Sequence, residues 1–110
     1  QVACYTKNVP FYINDPLVHD QMSFGFGKIM IGVTSWTLAH ASEFPLPLLL
    51  MHGKEDHLTF SAGSSEFAAP LKERCTLVLW DGAYHELHNE PEKAEVFKTM
   101  ALWMDARLRE

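Results

Sequence analysis

Cysteine is scarce in this chain: Cys4 and Cys75 stand far apart, with none of the dense, even spacing of a disulfide scaffold. That excludes a small disulfide-stapled fold and fits a reduced, cytoplasmic protein, with a Cys4–Cys75 bridge left open. Long hydrophobic runs are missing too. None exceeds five residues, and the run Leu48 to Met51 is four, far short of the roughly 20 residues that cross a bilayer, and no basic-then-apolar pattern marks a signal peptide. Positive charge is in deficit. Nine Lys and Arg face 14 Asp and Glu, a formal charge of −5, so there is no basic stripe for a nucleic-acid backbone. His52, Asp56, His57, His85 and His88 form a His-x-x-His and a His-x₄-His, but no H-E-x-x-H and no zinc-spaced cysteine pair occurs. The pattern therefore implies no metal and no cofactor.

The 110 residues suit one domain, and 47% hydrophobic composition with a mean hydropathy near zero indicates a soluble globular chain with a core. From Val2 to about Asp20, Pro10, Asn14, Asp15 and Pro16 break up short apolar pieces, which predicts turns and extended chain. Asp15 with His19 or Asp20 reads as turn and cap chemistry. Phe26, Ile29, Met30, Val33, Trp36 and Leu38 approximate one face of a helix between about Gln21 and Ser42. Gly25, Gly27 and Gly32 weaken it by roughly 1 kcal/mol each. After Pro45 and Pro47, Leu48 to Met51 predicts a fully buried strand of a parallel sheet. A short helix from about Ser61 to Ala69, ended near Pro70, leads to a second buried strand, Cys75 to Trp80. Cys75 reads as a small apolar residue there. The clearest pattern is Val96, Phe97, Met100, Trp103, Met104 and Leu108, a helix from Pro91 to Arg109 capped by Glu90 or Asn89.

Strand, helix, strand, helix makes a βαβ crossover with parallel strands. Two such strands leave faces and edges uncovered, which predicts a piece of a larger α/β protein, or an obligate oligomer pairing through exposed strand edges. The opening Gln1 in place of Met points the same way.

Two strings carry the chemistry. PLLLMHGKED (Pro47 to Asp56) and, after it, DGAYHE (Asp81 to Glu86) each read as a strand running into a loop with one ionisable residue, acid first and histidine second. That is the order of the last two members of a Ser…Asp…His triad, Asp56 orienting His85 as general base. The alternative is that Asp56 caps the next helix and His85 is an ordinary loop histidine. No G-x-S-x-G elbow occurs in the chain; none of Ser23, Ser35, Ser42, Ser61, Ser64 and Ser65 has both of its glycines. His52 reads as a hydrogen-bonded structural residue at the sheet end.

NDPLVHD (Asn14 to Asp20), PLLLMHGKEDHLT (Pro47 to Thr59) and LWDGAYHELHNEPEKAEVF (Leu79 to Phe97) resemble the C-terminal portion of bacterial α/β-hydrolases of the monoacylglycerol lipase and lysophospholipase group, the serine aminopeptidase-like hydrolases. The resemblance implies a fold in which residues 1–42 are the end of a helical lid and residues 43–110 the C-terminal βαβα part of the core, with an incomplete sheet. It places the triad acid on Asp56 and the triad histidine on His85, and it implies cleavage of acyl-glycerol esters. It further implies that Phe24, Phe26, Ile29, Met30 and Trp36 contribute apolar surface for an acyl chain, and that the nucleophile and oxyanion donors lie in a missing N-terminal half; a peripheral membrane contact is left open. The chain alone is then expected to be inactive. Two other readings are a non-enzymatic, self-associating assembly module and a metal-binding protein.

Overall fold

The computed structural model describes residues 13–19 and 21–109. Most of the segment expected to be turn and extended chain, and Cys4 with it, lies outside those residues. Within it, Asp15 Oδ1 accepts the N–H of Leu17 at 2.9 Å, an Asx turn.

Helix α1 spans Phe24–Ala39, and Ser23 Oγ caps it by accepting the N–H of Phe26 at 3.1 Å. The helix survives its glycines, and a Cβ at Gly25, Gly27 or Gly32 would meet only open space. No residue of α1 is buried, so the apolar residues read as one face of this helix remain accessible. A short 3₁₀ turn, Ala41–Glu43, leads out of it. Arg74 tethers that exit, donating to the carbonyl of Phe44 at 2.6 Å and to that of Ser42 at 3.0 Å.

Strand β1 (Leu48–Gly53), helix α2 (Ser61–Ala68) and strand β2 (Cys75–Trp80) form the βαβ unit. The strands are parallel, with Leu48 opposite Cys75 and Gly53 opposite Trp80. That register puts the ends of both strands, and the loops that follow them, on one rim. Helix α2 ends at Ala68, near Pro70 as expected, and a 3₁₀ stretch, Ala69–Arg74, carries the chain on to β2. Lys72 breaks that stretch at φ 52°, ψ −124°, a conformation that favours glycine.

Helix α3 covers Lys93–Leu108. Neither Glu90 nor Asn89 caps it. The N-cap residue is Glu92, without a side-chain bond, whereas Asn89 Nδ2 donates to Glu86 Oε2 at 2.8 Å and Glu90 turns inward. The indole N–H of Trp103 ties α3 to β2 through Thr76 Oγ1 at 3.2 Å.

The core is small: Ala41, Ala68, Leu71, Ala83 and Val96 are its buried apolar residues. Full burial was expected of both strands, yet they are mostly half-buried, and of the periodic residues of α3 only Val96 is buried. An incomplete two-stranded sheet has too few neighbours to cover both faces. Among the described residues, no helix is long and apolar enough to cross a membrane.

Candidate active site

The rim is built from two loops stitched together by main chain. Lys54 N–H donates to the Trp80 carbonyl at 2.9 Å and Glu55 N–H to the Ala83 carbonyl at 3.0 Å, so the loop after β1 is fastened to the loop after β2. Between them Gly53, at the end of β1, lies so close to residues 83 and 84 that a Cβ built on it would overlap the carbonyl oxygens of both. The ring of His57 meets Tyr84 edge-on, with centroids 6.3 Å apart. From below, Glu90, only 1% exposed, accepts the N–H of Tyr84 on Oε1 at 3.0 Å.

This frame brings Asp56 and His85 together. His85 Nδ1 lies 2.8 Å from Asp56 Oδ2. The carboxylate has no proton to give, so Nδ1 carries the hydrogen and Nε2 is the basic nitrogen. Asp56 is buried while the His85 side chain is 39% exposed, and Nε2 has no hydrogen bond among the described residues. Thr59 completes the contact. Its hydroxyl donates to Asp56 Oδ2 at 2.8 Å, and its oxygen lies 3.3 Å from His85 Nδ1.

Asp56 does not cap α2, whose N-cap residue is Phe60. Its Oδ1 accepts the N–H groups of Leu58 and Thr59, at 2.9 and 3.1 Å. Burial pushes the Asp56 carboxyl up, but bonds from His85, from the Thr59 hydroxyl and from the Thr59 and Leu58 amides outweigh it and hold the group well below the usual carboxylate range. The result is a fixed negative charge beside a solvent-facing imidazole.

The five apolar residues expected at an acyl pocket are not brought to this pair. Phe24, Phe26, Ile29, Met30 and Trp36 lie along α1, all exposed. Phe24 borders a cavity with Met22 and Ile31, and Trp36 one with Phe44 and Phe67. Cys75 begins β2, at the opposite end from His85; it is a free thiol that burial pushes up. No group of three or more His, Cys, Asp or Glu among the described residues could hold a metal ion.

Sequence reasoning missed Thr59, Gly53 and Glu90. Asp followed three positions later by Thr is a turn signal that points to the first. The other two act through a close approach between separate loops and a bond six residues back along the chain, neither of which a sequence pattern marks.

Comparison with known proteins adds the family context. The profile of the family described as serine aminopeptidase, S33 matches residues 2–92. An uncharacterized abhydrolase domain-containing protein of Dictyostelium discoideum is 35% identical over 99 residues, covering 88% of this chain and 11% of that protein. A monoacylglycerol lipase of Mycolicibacterium smegmatis is 32% identical over 102 residues, covering 91% of this chain and 36% of the lipase. The crystal structure of the monoacylglycerol lipase of Paleococcus ferrophilus superposes with a TM-score of 0.85 at 30% identity, over 93% of this chain and 40% of that one. The chain thus spans well under half the length of each.

Proposed function

The chain belongs to the serine aminopeptidase S33 family of α/β-hydrolases, and on that premise we propose that it is the C-terminal part of a serine hydrolase that cleaves carboxylic esters of acyl glycerols. The observation that carries the proposal is the 2.8 Å bond from His85 Nδ1 to the buried Asp56, with Nε2 left outward. Asp56 holds the ring and stabilises the imidazolium, and Nε2 removes the proton from a serine hydroxyl and returns it to the leaving alcohol. The serine and the backbone donors for the oxyanion come from the portion of the fold that precedes residue 1, since no G-x-S-x-G stands in these 110 residues.

Acyl glycerols are the proposed substrates because two of the similar proteins are monoacylglycerol lipases. Within residues 1–42, read as the end of the lid, Phe24, Phe26, Ile29, Met30 and Trp36 would offer exposed apolar surface to the acyl chain, with residues 43–110 as core. The outer edges of β1 and β2, unpaired among the described residues, are where the rest of the sheet joins.

The test is an ester assay and a serine-directed phosphonate probe, applied to the 110-residue chain and to the complete hydrolase. The chain alone is expected to show neither turnover nor labelling, and the complete enzyme both. Turnover by the chain alone, or a complete enzyme indifferent to His85→Ala, would refute the proposal.

A further inference from the structure

We propose that His52 is a positioning residue for the acid of this site, holding Asp56 Oδ2 in the direction that His85 needs. The inference rests on the reading of Asp56 and His85 as acid and base. His52 Nε2 lies 2.7 Å from the Thr59 carbonyl and 3.0 Å from Asp56 Oδ2. Both partners are acceptors only, so Nε2 carries the hydrogen. In the neutral ring Nδ1 is then a bare acceptor, to which Ser64 Oγ, 2.7 Å away, donates. A directed chain results, from the Ser64 hydroxyl through the His52 ring to Asp56, with His85 on the other side of the same oxygen.

The arrangement is rigid at each link. His52 sits next to last in β1, in register opposite Leu79, and Ser64 stands on α2, so strand and helix grip the ring from two sides. Its side chain is only 16% exposed. Two imidazoles thus share one carboxylate oxygen, one half-buried with both ring nitrogens bonded, the other more open to solvent. The His52 N–H draws part of the charge of Oδ2 and fixes which lone pair remains for His85. Asp56 is the titratable group that the His52 ring meets, and it is also the one that the His85 ring meets.

The experiment measures kcat and KM against pH in the complete hydrolase, this chain joined to its nucleophile-bearing portion, on a p-nitrophenyl ester. His52→Leu removes the N–H and is expected to lower kcat about 10-fold with KM little changed, as loss of a group that orients a catalytic residue does. More of the carboxylate charge then falls on His85, its imidazolium is favoured, and the acidic limb of the profile moves to higher pH by about half a unit. His52→Gln keeps an N–H donor and should retain kcat within about threefold, with the limb in place. Ser64→Ala leaves the ring in its slot and frees its tautomer. It serves if His52→Leu does not fold, with a smaller shift expected in the same direction. Imidazole ¹⁵N shifts should identify Nε2 as the protonated nitrogen of His52.

Lowered stability with an unmoved pH profile in both His52→Leu and Ser64→Ala, or a His52 protonated on Nδ1 alone, overturns the proposal. Turnover that survives His85→Ala overturns instead the acid–base reading beneath it.

Discussion

The carbonyl oxygen of Tyr84 occupies the place where a Cβ of Gly53 would stand. The spacing between the acid loop and the histidine loop is therefore set by main chain, and the only residue that permits it is the one without a side chain. Gly53→Ala should push the loops apart and destabilise the fold by about 1–3 kcal/mol or more. Denaturant midpoints measure the loss, and a changed His85 Nδ1–H proton shift would report the longer contact with Asp56.

The low carboxyl value of Asp56 has a pH consequence of definite sign. Unfolded, the group returns to about 3.8; folded, it stays ionised to lower pH. Between those values the unfolded chain binds more protons, so stability is fully present above about pH 4 and is lost as pH falls further. Asp56→Asn should abolish that part of the acid sensitivity, measured as melting temperature between pH 5 and pH 2.5. The same substitution should lower kcat of the complete hydrolase by about 10⁴, because an amide can orient the wrong tautomer of His85.

Glu90 supports the histidine loop from underneath through the N–H of Tyr84. Glu90→Ala leaves that amide without its acceptor and should cost about 1–3 kcal/mol, whereas Glu90→Gln keeps an oxygen in place and should cost less. Urea titrations of the two variants order them. Equal losses would contradict the bond's importance.

Lys72 pays for its backbone rather than for its side chain. At φ 52°, ψ −124° it sits where a type II′ turn prefers glycine. Lys72→Gly should raise stability by about 1 kcal/mol, and Lys72→Ala should not, a contrast that thermal unfolding resolves.

How far these features could be read in advance varied with their range. The parallel pair, α2 and the extent of β2 followed from short apolar runs bounded by proline and glycine, because those signals are local, whereas β1 runs on through His52 and Gly53, past the apolar run that marked it. Burial was overestimated. The periodic residues Phe97, Met100, Met104 and Leu108 mark a face that belongs against something, but they stay exposed here, with Leu108 at 85%. Periodicity records the face a helix is built to bury, not whether this stretch of chain supplies the cover. At the site, residue types and their order along the chain pointed to Asp56 and His85 together, since both follow strands that end on one rim. Glu90, expected as a helix cap, instead binds an amide six residues back. Two uses of one side chain compete there, and tertiary packing decides between them.

Asp56 receives hydrogen bonds from Leu58, Thr59 twice, His85 and His52, which fills both of its oxygens. So crowded an acid is a poor landing place for a further hydrogen ion. In the proposed cycle nothing is relayed past the ring: the travelling proton shuttles over a single hop, between imidazole and alcohol, and the carboxylate acts as a stationary electrostatic anchor.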